Sequence, residues 1–206
     1  MSFPVFSIAL GVTAGLLQLI GYFYYVKKIN IGRVKPNTAS WSIWAFGAVL
    51  ESTSYIFATG DWVKNILPIA CALSAVFIFL YCLRYGHFNW PTRFEWSLVV
   101  LDCIAILIWW YYSSAVYANL YLVLTAVISF IPIIWHVWKD PMVEDALPWF
   151  VWTGAYSVLA VVVLLRWEKW EDLVYPAVFA VLHVIIAVLA LDRRVPRTLK
   201  FNRVAE

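Results

Sequence analysis

Charge is what this chain has least of. Its 206 residues include 15 Lys and Arg and 12 Asp and Glu, while 64% are apolar and the mean hydropathy is +0.81. A water-soluble domain of this length needs far more polar surface, so the soluble globular classes are excluded. Cysteine is sparse too. Cys71, Cys82 and Cys103 lie inside apolar runs with no C-x-x-C spacing, and they read as buried, inert thiols. There is no His-x3-His pair, no phosphate-cradling glycine loop and no Ser-His-Asp set in a supporting context. No catalytic residue, metal or cofactor is therefore expected. Every lysine sits in a loop, at the end of an apolar run or in the tail, which removes a Schiff base at mid-membrane. The opening MSFPVFSIAL has no basic leading region and no Ala-x-Ala-like cleavage site, so it reads as the first span, not as a removed signal.

What the chain has in abundance is long apolar runs. Seven are continuous, over residues 3–26, 41–59, 66–83, 96–112, 115–138, 147–165 and 173–191. A spanning helix needs about 20 such residues, whereas a β-barrel shows alternating segments of about 10. The expected fold is an all-α integral membrane protein with seven transmembrane helices. Lys27, Lys28, Arg33 and Lys35 lie between the first two spans, Arg84 and Arg93 between the third and fourth, and Lys139 between the fifth and sixth. The tail adds Arg193, Arg194, Arg197, Lys200 and Arg203, leaving only Lys64, Arg166 and Lys169 for the other side. The positive-inside rule then puts the N-terminus outside and the C-terminus in the cytoplasm, with a bacterial inner membrane as the expected location. The tail fits a juxtamembrane anchor on anionic lipid better than a docking peptide or a nucleic-acid arm.

The chain also repeats itself. Trp41, Trp44, Trp62 and Pro68 recur as Trp149, Trp152, Trp170 and Pro176, each at an offset of 108. The frame Trp-x2-Trp-x17-Trp-x5-Pro thus occurs twice without a gap. Two three-helix repeats, residues 1–90 and 115–192, would flank a linker helix at 91–114, with a basic tail at 193–206. Equivalent spans are four apart, an even number, so the repeats run parallel and are related by an axis along the membrane normal.

This 3+1+3 plan resembles the SWEET sugar transporters and the wider PQ-loop superfamily. SFIPIIWHVWKDP (residues 129–141) is similar to the PQ-loop signature, although Ile133 stands where glutamine normally follows the proline. In the first copy, QLIGYFYYVKKIN has Gly21 near the place of the proline. The resemblance implies alternating access to a midplane pocket, with Pro132 and, as a weaker case, Gly21 as hinges; Pro68 and Pro176, inside the third and seventh spans, also permit bending, although prolines are common in membrane helices. The resemblance also implies a small-molecule solute as partner and further assembly into a homo-oligomer. The alternative is a non-transporting receptor or scaffold of the same fold, as the KDEL receptor is. A membrane enzyme acting on lipid ranks third.

Two roles compete for the tryptophans. Trp44 and Trp62 are 18 residues apart, about 27 Å of helix, which suits anchors at the two interfaces. Yet Trp41, Trp44, Ala48, Glu51 and Tyr55 stay within an arc of about 80° on one helix face. Glu51 is the only charge of its span. At that depth it is either a neutral acid tying helices together or a ligand or proton site. The candidate pocket is Trp44, Glu51, Tyr55, Trp152 and Tyr156, with Asn65 at its outer mouth and His183 as a partner for Glu51, a relay, a ligand contact or a satisfied core residue. Gln18 is a weaker candidate. Asp102, on the linker helix, reads as a tether to a neighbour or a subunit contact. An aromatic, weakly polar pocket suits a sugar, a vitamin precursor or an aromatic metabolite.

Overall fold

The computed structural model describes residues 3–32, 37–86, 88 and 90–191. Arg33, Lys35 and the basic tail fall outside the described residues. The described chain forms seven α-helices: α1 (Phe3–Asn30), α2 (Thr38–Thr59), α3 (Trp62–Tyr85), α4 (Arg93–Tyr112), α5 (Ala115–Lys139), α6 (Ala146–Leu165) and α7 (Glu171–Leu191). A 3-10 turn at Pro141–Val143 precedes α6.

Most helices start earlier than their apolar runs because polar caps, not hydropathy, begin them. The side chains of Asn37, Asp61 and Asp145 accept from the second backbone N–H of α2, α3 and α6. Thr92 and Glu95 form a reciprocal capping box at α4. At the other end of α1, Lys27 and Lys28 extend the helix into its basic last turn, where cations complement the helix dipole.

Six helices are long and apolar enough to cross a bilayer, as expected of an all-α membrane protein. The exception is α2. It is 22 residues long, but Glu51, Ser52, Ser54 and Thr59 lower its hydropathy, and all four are buried against other helices. The surface is correspondingly apolar, with Phe57, Leu73, Phe77, Leu80 and Trp110 more than half exposed. In lipid such side chains lie in their preferred solvent.

Helix α3 packs between α1 and α2, and α7 packs likewise between α5 and α6. Helix α1 lies against α6, α2 against α5, and α4 against α5 and α2. Gly11 and Gly15, one turn apart, let α1 approach α3 closely. A Cβ at either would come within 2.6–2.7 Å of Val63 or Ile66.

One end of the bundle is tied together by charge. Lys64 Nζ donates to Asp172 Oδ2 at 2.7 Å, and both side chains are essentially inaccessible. Tyr55 donates to the Asp172 carbonyl at 2.8 Å. Arg166 donates to Asp61 at 2.5 Å and to Ser7 at 3.1 Å, while Lys169 donates to the Ala58 carbonyl at 2.6 Å. Burial alone would raise the Asp61 carboxyl. Hydrogen bonds from Arg166 and the Val63 N–H, with the charges of Arg166 and Lys64, outweigh it and hold the carboxyl below its ordinary range. Lys64 does stand at a helix start, but its complete burial is invisible to a hydropathy reading.

Lys64→Met is expected to cost about 3–5 kcal/mol of stability, because it leaves the Asp172 charge buried without its partner. Lys64→Met combined with Asp172→Leu should restore most of it. Thermal unfolding of the purified variants in detergent reads both, and a double variant as unstable as the single one would show that the pair is not the source of the loss.

Candidate functional site

A cavity of about 930 Å³ runs between the helices. Its outer rim is Asn37, Ser40, Thr92, Glu95, His136 and Glu144, all at the end where α1 joins α2, α3 joins α4 and α5 joins α6. Farther in it reaches Gln18, Glu51, Cys71, Asp102, Tyr156 and His183. No residue of the paired-charge end lines it. The cavity is a cup, open at one end of the bundle and stopped by the ion pairs at the other.

Aromatic rings form its wall. Trp44 meets Phe130 at 5.5 Å between ring centroids, Phe130 meets Trp149 at 6.2 Å, Trp149 meets Trp152 at 5.2 Å, and Trp152 meets Tyr22 at 5.1 Å. The two roles of tryptophan divide along the frame. Trp149 and Trp152 are buried and, with Trp44, line the cup, whereas Trp62 and Trp170 are each 60% exposed at the helix ends.

Trp152 is seated by Gly21. The indole Nε1 donates to the Gln18 carbonyl at 3.3 Å, and a Cβ on Gly21 would stand 2.2 Å from that nitrogen. Gly21 therefore acts at least as a bed for the ring. Helix α1 is continuous through it, as α3, α5 and α7 are through Pro68, Pro132 and Pro176. Pro132 borders the cavity, while Pro68 and Pro176 are buried outside it.

The expected site residues separate into two groups. Trp44, Glu51, Trp152, Tyr156 and His183 come together around the cavity. Tyr55 and Asn65 do not. Tyr55 is wholly buried against Tyr175 and bonded to the Asp172 carbonyl. The Asn65 oxygen accepts from Thr59 at 3.0 Å. Both belong to the closed end, because the α2 face that carries Trp44 and Glu51 passes out of the cup and into the ion-pair layer one turn later. His183 and Glu51 share no hydrogen bond. His183 Nδ1 donates to the Phe179 carbonyl of its own helix at 2.7 Å, within a shell of Phe130, Trp149, Trp152 and Tyr156 rings.

Asp102 adds to the cavity a residue expected only as a tether or a subunit contact. It is buried, it lines the cavity, and its Oδ2 lies 3.0 Å from where a Cβ on Gly47 would be. Gly47 is one turn before Glu51 on the same face of α2, so α4 delivers a second carboxylate next to the first. Glu51 itself is 8% exposed, and its Oε1 has no hydrogen-bond partner; neither has Oε1 of Gln18. Buried acceptors left in this way are costly and call for an explanation.

At the rim, Glu144 accepts from Trp149 Nε1 at 3.1 Å. Burial, only partly offset by that hydrogen bond, raises its carboxyl from an ordinary 4.5 to about 7. Glu144 and its bond to Trp149 were not legible beforehand, since the glutamate looks like any loop acid. No family model, curated protein or solved structure matches this chain.

Two outcomes follow from this geometry. Gly21→Ala should displace the Trp152 ring and cost about 1–3 kcal/mol, as overpacking does, seen as a lower melting temperature. The Glu144 carboxyl holds its proton more tightly folded than unfolded, so its contribution to stability falls as pH rises from 4.5 to about 7. Glu144→Gln should therefore gain on the native protein across that window and run parallel to it on either side, measured as melting temperature against pH. A gap that does not change with pH would contradict the assignment.

Proposed function

We propose that this protein is a secondary carrier or uniporter for a small solute, built as two parallel three-helix repeats joined by α4 and working by alternating access. The observation that carries the reading is the cup itself. It is open at one end, latched by buried ion pairs at the other, and has an unpartnered carboxylate between them. A carrier caught facing one side needs those three elements.

The contacts support the repeat. Under the offset of 108, a pair i–j should reappear as i+108 with j−108 if a twofold relates the halves. Trp44 with Phe130 becomes Trp152 with Tyr22, and both pairs are in inclined ring contact. Asp61 with Arg166 becomes Lys169 with Ala58, and both are hydrogen-bonded. Lys64 with Asp172 maps onto itself, which is what a pair on the axis must do. Helix adjacency follows the same exchange, since α1 against α6 answers α2 against α5. The SWEET and PQ-loop likeness rests on this plan and on the residue 129–141 motif. With the basic loops in the cytoplasm, the cup faces inward, and Lys64, Arg166 and Lys169 are the cations of the outer latch.

The test is uptake into vesicles reconstituted with the full chain, across sugars, vitamins and amines. One class should enter saturably, and Glu51→Gln should reduce that uptake by about tenfold or more, the worth of a hydrogen bond to a charged group, with its melting temperature unchanged. If the native protein moves none of them, the scaffold reading replaces this one.

A further inference from the structure

We infer that the solute is an organic cation with N–H donors and an apolar, aromatic-sized body: a protonated amine or a related amidinium or guanidinium. The proposal rests on the cup being the solute site and narrows what it holds.

The first argument is charge. Glu51, Asp102, Glu95 and Glu144 all line the cavity, and among the described residues no lysine or arginine does. The basic residues near the bundle interior are spent elsewhere, Lys64 and Arg166 in the latch and Lys28 on Asp145 at 2.5 Å. Among the described residues, an anionic solute would find no lysine or arginine to pair with in the cup.

The second argument is the balance of donors and acceptors. The cavity's side-chain donors are largely committed to the protein. Trp152 and Trp149 donate to the Gln18 carbonyl and to Glu144, Ser40 to Glu95, and Ser129 to the Ala126 carbonyl. His183 Nδ1 and Thr125 serve carbonyls of their own helices. Of the fully buried side-chain atoms that line the cavity, the ones left unpaired are two acceptors, Oε1 of Glu51 and Oε1 of Gln18. A sugar brings hydroxyls that need donors as well as acceptors, and a carboxylate or phosphate needs donors alone. An ammonium supplies donors only, which is the missing half.

The third argument is the wall. The rings of Trp44, Trp149, Trp152 and Tyr22 line the same space, and aromatic rings attract cations over their faces, tryptophan most strongly. Asp102, beside Gly47 and one turn from Glu51, adds a second carboxylate to the pole that the rings enclose.

The experiment uses the purified full chain in detergent at neutral pH, with binding read by calorimetry against empty micelles. The probes are phenethylammonium, the uncharged 2-phenylethanol, phenylacetate and glucose. Phenethylammonium should bind about tenfold or more tighter than the alcohol, with phenylacetate weakest. Glu51→Gln should bring the two closer to equal while keeping the alcohol's affinity, and Asp102→Asn should move in the same direction by less. Equal or tighter binding of the alcohol, glucose or phenylacetate overturns the inference. So does an undiminished preference in both variants, or no binding of the ammonium at all. Selective binding without uptake sinks the carrier and keeps the cation site, whereas saturable uptake of an uncharged solute does the reverse.

Discussion

The hydrogen-bonded ion pair between Lys64 and Asp172 is the contact on which the rest of the architecture turns. Both groups are removed from water, and neither is tolerable there without the other. Their pairing brings the start of α3 against the start of α7, and the Tyr55 hydroxyl joins α2 to the same point through the Asp172 carbonyl. Arg166 adds Asp61 and Ser7, reaching α1. Four helices are thereby gathered at one end. The other end, where the linkers are polar and the rings are large, is left splayed enough to hold a cavity.

That asymmetry organises the polar groups of the interior. At the closed end, charges are paired with opposite ones, although among the described residues Asp172 Oδ1 accepts no hydrogen bond and has only the Lys169 ammonium at 3.9 Å. In the cup they are not, and Glu51 and Gln18 keep unpaired acceptors among aromatic rings. A structure that pairs its buried charges with opposite ones in one layer and leaves a carboxylate without a counter-ion in the next places that group where a ligand would sit. The carrier reading and the cation reading both draw on this contrast, the first on the cup's shape and the second on its chemistry.

Much of the fold was legible in advance, for reasons particular residues make plain. Trp44 and Trp152 declared themselves as partners by their common offset, and both reach the cavity. Glu51 stood out because a lone carboxylate in an apolar run has few places to go. Tyr55 was misplaced because a shared helix face says nothing about where along the helix the cavity stops. Asp102 was expected to touch a neighbour, and only the packing of α4 onto α2 shows that the neighbour is Gly47 and that the carboxylate also borders the cavity. Gly21 looked like a joint, yet its visible task is to make room for an indole.

The sequence by itself determined the solvent, the helices and their approximate ends, the uneven spread of positive charge and the doubled tryptophan frame. Each of these is a local or periodic property that a one-dimensional sum can register. Tertiary structure alone decided that Lys64 meets Asp172, that Asp102 joins Glu51, and that the cup opens at one end only. Those outcomes depend on which helices become neighbours, and contact between residues half a chain apart is set by the packing of whole helices, not by any short stretch.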